Sequence, residues 1–160
     1  MVEYKEVQRM TQWWLWLLLI GVAGIWVWGI IQQMIVGQPF GDKPVSNAGL
    51  VISSLIPFGL IAFLGLASLK TTVTSTKIAI RYTPFINVQI DRNDVLKAEI
   101  ITYNFVGYGI RYSNQYGTVY NAKGNSGLLI YKKTGSKLLI GTQKPKELRQ
   151  VIAKWGVLIS

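Results

Sequence analysis

Acid–base chemistry in this chain rests on few side chains. The 160 residues include no His and no Cys. No Ser-His-Asp or Cys-His nucleophile can therefore be assembled, nor a zinc site built on thiolate or imidazole. General acid or base work would fall to Asp42, Asp91, Asp94, Glu99 or Glu147, or to Lys and Tyr. Asp91 and Asp94 lie close in sequence, but Asp91-Arg92-Asn93-Asp94 reads as a polar turn, where Asp bonds its own backbone. A phosphate loop of the form G-x-x-x-x-G-K-[ST] is absent, as is any metal-ligand spacing. The residues thus predict a protein that is not an enzyme and that carries no cofactor and no metal.

Positive charge is the chemical feature that remains. The chain has 17 Lys+Arg against 7 Asp+Glu, a net charge of +10. Lys77 and Arg81 stand four apart in an alternating segment and so project from one strand face. Lys132, Lys133 and Lys137 cluster around Thr134-Gly135-Ser136, a hairpin turn. These five residues are the candidate site for lipid headgroups or a partner. A basic residue reaching an anionic leaflet contributes about 1 kcal/mol. The competing reading is that the lysines provide solubility and fix membrane orientation. Nucleic acid is not an expected partner: Tyr108-Gly109-Ile110-Arg111-Tyr112 is only faintly like an aromatic RNA-binding strand, and the full motif is missing.

The elements that carry these charges divide at a change of pattern. Half the chain is apolar and 15% is charged, against about 25% charged in an average soluble domain. Trp13 to Ile31 has no charge and continues through Gln32 and Gln33 to Val36; Ala48 to Leu69 is also uncharged. About 20 such residues cross the hydrocarbon core as a helix, in which every backbone group is satisfied internally. Spans are expected over 13–36 and 48–69. The alternatives are two buried helices of a soluble protein, or a cleaved signal peptide for the first run. The first run exceeds a signal peptide's usual apolar length, and no A-x-A-like site follows it. Neither span contains an ionisable residue, which argues against a transporter or channel. Gly21, Gly24 and Gly29, with Gly59, Ala62 and Gly65, are positions where the helices can approach closely.

The connector 37–47 holds Gly37, Pro39, Gly41, Pro44 and Asn47 and is too short to recross a bilayer. Both termini then share one side. The connector is neutral, whereas the segment from Lys70 to Ser160 holds 14 Lys+Arg and 4 Asp+Glu. The positive-inside rule therefore predicts a cell-membrane protein with residues 1–12 as a cytoplasmic tail, the connector outside and residues 70–160 as a cytoplasmic domain.

Within that domain the period changes to two. Lys77–Tyr82 and Ile86–Ile90 alternate strictly. Further strands are expected over Leu96–Tyr103, Tyr108–Ser113, Thr118–Asn121, Leu128–Lys133 and Lys137–Gly141, with turns rich in Gly, Asn and Asp between them. Short strands at this spacing indicate an antiparallel sandwich or barrel. The chain then changes character: Pro145 opens a helix, and Leu148, Val151, Ile152 and Trp155 form one apolar stripe suited to plug an open end.

Seven strands and a C-terminal amphipathic helix resemble a pleckstrin-homology (PH-like) domain. The chain is similar to prokaryotic membrane proteins with two N-terminal helices and such a domain. The similarity lies in Gly109-Ile110-Arg111-Tyr112, Tyr120-Asn121, Gly124-Asn125, Gly127, the run from Leu138 to Pro145, and the connector Gly37-Gln38-Pro39-Phe40-Gly41-Asp42. The resemblance implies an α+β fold: a transmembrane helical hairpin, then a seven-stranded PH-like half-barrel capped by a helix. It supplies no reaction and no catalytic residue. The expected role is a non-catalytic adaptor or scaffold for a protein partner or for self-association. The alternative is recognition of anionic lipid headgroups by the basic faces.

Overall fold

The computed structural model describes residues 1–104 and 107–159. Of the expected domain 70–160, Phe105, Val106 and Ser160 lie outside the described residues. The chain forms two compact units, one from Thr11–Leu66 and one from Met1–Met10 with the chain after Leu66.

The helical unit contains α1 (Trp13–Ile30), which runs on as a π-helical turn over Ile31–Ile35, and α2 (Asn47–Leu66). Both helices are long and apolar enough to cross a membrane. Leu17, Leu18, Ile20, Leu55 and Ile56 are exposed, so the helices present apolar surface outward rather than one buried stripe. Trp26 Nε1 donates to Ser53 Oγ at 3.0 Å, joining the two helices. Gln33 Nε2 donates to the Val45 carbonyl and to Asn47 Oδ1, both at 2.8 Å, and so fastens the connector. The small residues do less than expected. A Cβ at Gly21, Gly24 or Gly59 would meet nothing within 4 Å. Gly65 faces the Trp16 ring, and Gly29 makes room for Phe40 of the connector, whose Cδ1 lies 2.8 Å from where a Cβ would stand.

The second span ends earlier than the apolar run predicts. Ser68 and Leu69 belong to β2 (Ser68–Thr74), where Leu69 is fully buried. An apolar count cannot separate a helix end from a strand that begins with its own core residue.

The β unit differs from the expected seven strands and from the expected tail. Residues 2–9 form β1 (Val2–Arg9), paired antiparallel with β2. These two strands add to β3 (Lys77–Thr83), β4 (Ile86–Asp91), β5 (Val95–Thr102), β6 (Gly109–Ser113), β7 (Gly117–Asn121), β8 (Ser126–Lys132) and β9 (Lys137–Gly141). The sheets have four strands in the order β1-β2-β3-β4 and five in the order β5-β8-β9-β7-β6. The four-stranded sheet is antiparallel throughout, whereas β7 runs parallel to β9. Among the described residues the sheets do not close into a barrel. At the start of β7, Gly117 has φ +72° and its α-carbon packs on the Lys137 backbone carbonyl, where no Cβ fits.

Leu69, Val73, Ile78, Ile80 and Ile90 of the first sheet meet Leu128, Ile130, Leu138 and Ile140 of the second in one core. Helix α3 (Pro145–Ala153) covers this core with Leu148, Val151 and Ile152, and Trp155 follows, 3% exposed. The stripe read from the sequence is the buried face. Trp155 Nε1 donates to the Thr74 carbonyl at 3.2 Å, which satisfies the one polar atom of the ring. A smaller cluster of Tyr103, Val119, Leu129 and Leu139 also draws on β8 and β9. Burial on both faces explains why these strands read as unbroken apolar runs. The edge of β5 is covered by the chain end, with Ala98 N–H on the Val157 carbonyl at 2.8 Å and Ile159 N–H on the Ala98 carbonyl at 2.9 Å.

Candidate functional site

Register brings basic side chains together on the outer face of the four-stranded sheet. Directly opposed residues of an antiparallel sheet share a face. One row runs Val7, Lys70, Arg81, Asn87; the rows beside it on that face are Arg9, Ser68, Thr83 and Lys5, Thr72, Ala79, Gln89. Their inward neighbours Leu69, Thr71, Ile80 and Tyr82 are buried, so these rows face outward. Lys5, Arg9, Lys70 and Arg81 thus converge from three strands. Lys70, Thr72, Ala79, Arg81 and Asn87 line a depression of about 150 Å³. Arg81 and Asn87 also border a second one of about 320 Å³, shared with Thr83, Pro84, Phe85 and Ile86. Among the described residues neither Lys70 nor Arg81 has an acidic partner; the two ion pairs there are Lys144–Glu147 and Lys154–Glu3.

The five candidate residues do not form one site. Lys77 shares the face of Arg81 but sits about 13 Å along the strand, at about 3.3 Å per residue. It lies opposite Asp91, and its Nζ donates to Gln89 Oε1 at 2.9 Å. Lys132, Lys133 and Lys137 belong to the β8–β9 hairpin of the other sheet. Arg92 N–H donates to the Thr76 carbonyl at 2.7 Å and Lys133 N–H to the Asp94 carbonyl at 2.9 Å. This hairpin therefore adjoins the end of the first sheet opposite the β1–β2 connection. Lys137 is engaged locally: its Nζ donates to the Gln115 carbonyl and stands 5.5 Å from the Tyr131 ring, with Lys97 Nζ at 4.4 Å from the same ring.

Lys5 and Arg9 are absent from the sequence-based candidate set. Finding them required the strand status of residues 2–9, and the inward face of that strand hides it. Tyr4, Glu6 and Gln8 point inward while Val2 and Val7 are exposed, which inverts the usual alternation. Glu6 is buried and fully engaged: Tyr4 Oη and Thr142 Oγ1 both donate to Oε2, and Gln143 N–H donates to Oε1 at 2.7 Å. Gln8 Nε2 donates to the Gly141 carbonyl at 2.6 Å.

The remaining acidic residues are dispersed. Glu99 accepts from Tyr131 Oη at 2.6 Å, Glu147 pairs with Lys144, and Asp91 and Asp94 flank a surface turn. Among the described residues no three His, Cys, Asp or Glu side chains gather into a metal-binding group. Burial raises the Tyr4 hydroxyl, and the bond to Glu6 raises it further. Burial, reinforced by Tyr108 and Tyr116, pushes Tyr103 up to about 12.

Compared with known proteins, the chain matches no family model, no curated protein and no solved structure.

Proposed function

We propose that this chain is a non-catalytic integral membrane protein whose β unit docks on anionic lipid headgroups at the cytoplasmic face. The observation that carries this reading is the convergence of Lys5, Arg9, Lys70 and Arg81 on one outer sheet face, with no acidic partner for Lys70 or Arg81 among the described residues. A set of four such charges near an anionic leaflet contributes on the order of 4 kcal/mol. Membrane spanning is supported by the two apolar helices. A two-crossing topology is supported by the β1–β2 pairing, because the strands before α1 and after α2 meet in one sheet and so share one side of a membrane that the helices cross. The inside orientation rests on the positive charge of that side. An active alkaline phosphatase fused at Ser160 would reverse it.

A PH-like ancestry for the β unit is supported by the antiparallel four-stranded meander, the second sheet and the C-terminal helix over the shared core. The nine strands and the parallel β7–β9 pair depart from that pattern.

Docking is tested on the full-length chain in bilayers, with a nitroxide on Asn87→Cys beside Arg81. Phosphatidylglycerol in the bilayer lowers collisions of the label with a water-soluble nickel chelate relative to phosphatidylcholine alone. Lys70→Glu with Arg81→Glu removes the difference. Equal accessibility in the two lipids overturns the reading.

A second reading, an adaptor for a protein partner or for another copy, is favoured by the edge strand β6. No further strand pairs with it among the described residues, and it presents exposed Tyr112. Such an edge accepts an added strand. A stoichiometric protein retained by the full-length chain in a detergent pull-down would favour it.

A further inference from the structure

We infer that the β3–β4 turn, Thr83-Pro84-Phe85, inserts into the interfacial layer of the bilayer as a third membrane contact beside α1 and α2. The inference rests on the membrane-spanning reading above. In an antiparallel meander, the connections β1–β2 and β3–β4 fall at the same end of the sheet. The first of these connections carries both helices. Arg9, Ser68 and Thr83 stand side by side in the last row at that end. Three residues separate Arg9 from Trp13, and one separates Leu66 from Ser68. At no more than about 3.6 Å per residue, the first tether reaches at most about 14 Å and the second about 7 Å.

The turn has the chemistry of a surface that meets lipid. Phe85 is 70% exposed, a large apolar side chain at the tip of a two-residue turn. Its base is fixed, since Tyr82 is buried and Phe85 N–H donates to the Tyr82 carbonyl at 3.0 Å. Arg81 and Lys70 lie one outward row behind the tip, where headgroup phosphates would stand once Phe85 enters the interface. Trp13 and Trp14, both exposed, open α1 four and five residues after Arg9, as interfacial aromatics do. The opposite end of the same sheet gives the contrast: its turns are Ser75-Thr76 and Arg92-Asn93-Asp94. Within this sheet the apolar turn stands at the end that carries the helices.

The chain has no cysteine, so single labels need no background substitutions. Full-length protein carrying a nitroxide at Phe85→Cys, Thr83→Cys, Ser75→Cys or Ile56→Cys is reconstituted in phosphatidylcholine with phosphatidylglycerol. Collisions with oxygen and with a water-soluble nickel chelate are then compared. The labels at 85 and 83 are expected to show oxygen-rich, chelate-poor environments relative to 75, at a shallower depth than 56. Phe85→Ser in the Thr83→Cys protein, where the label does not replace the aromatic ring, shifts the label at 83 towards water. A label at 56 in lipid with labels at 85 and 83 as accessible to the chelate as 75 overturns the insertion alone. A label at 56 open to the chelate overturns the membrane-spanning reading and the insertion with it.

Discussion

Glu6 and Thr142 are 136 positions apart, and the Thr142 hydroxyl donates to Glu6 Oε2 at 2.7 Å. This bond joins the first strand of the β unit to the segment that leads from β9 into α3. Gln143 N–H and Tyr4 Oη bring two more donors to the same carboxylate, and Thr142 Oγ1 accepts in turn from Lys144 N–H at 3.0 Å. A buried carboxylate is tolerated here because each lone-pair direction in use has a donor. Glu6→Ala strands these donors in the interior and should cost about 1–3 kcal/mol. Denaturant unfolding of the full-length chain in detergent, followed by near-UV circular dichroism, measures it. A change within error of the wild type would show that the cluster contributes nothing net.

The β unit is completed by a strand that precedes both helices, so the fragment 70–160 lacks β1 and the first residues of β2. Arg9 and Ser68 are already paired across the sheet. Replacing 11–66 by a short Gly-Ser turn should therefore yield a soluble, folded domain, whereas 70–160 alone should not fold. Amide dispersion in a proton–nitrogen NMR spectrum distinguishes the two; a well-dispersed spectrum from 70–160 would contradict the prediction.

Trp155 closes the core beneath both sheets, and Arg92 Nη2 donates to its carbonyl at 2.7 Å. Trp155→Ala removes a buried aromatic and should cost about 3–5 kcal/mol. Trp155→Phe keeps most of the volume and forfeits the bond to Thr74, so its loss should be distinctly smaller. The shift in denaturation midpoint at constant slope is the readout.

Burial raises the hydroxyls of Tyr4, Tyr82, Tyr103 and Tyr120 above their ordinary value. The folded state therefore holds protons that the unfolded chain releases from pH 10 upward. Stability is fully present below pH 10 and falls as the pH rises towards about 12, the value reached by Tyr103. Melting temperatures taken between pH 8 and pH 11.5 should stay level and then fall beyond pH 10, with the 245 nm absorbance reaching the value for all eight tyrosines only as the protein unfolds. Tyrosinate appearing in full at pH 10 with no loss of structure would contradict these burials.

The sequence alone determined whatever depends on local periodicity. The apolar runs mark α1 and α2 because a helix long enough for a bilayer needs only length and the absence of charge. Strands β3 to β9 announce themselves through alternation or through turns rich in Gly, Asn and Asp, and the Leu148–Trp155 stripe marks α3 with its buried face. Tertiary structure decided the rest. Strand β1 was hidden because Glu6 and Gln8 occupy its inward face, and groups that bond the Glu6 carboxylate and the Gln8 Nε2 there lie 133 to 137 positions away. Strand β2 was hidden as a whole: Leu69 extends the apolar run of α2, and the polar Thr71 takes an inward position that only packing explains. The basic site was legible only in part: Lys77 and Arg81 share a face by period alone, but register decides that Arg81 stands beside Lys70 and in line with strand β1, while Lys132, Lys133 and Lys137 go to the other sheet. Charge and period are properties of neighbours along the chain, and pairing across strands is decided by which residues can be buried together.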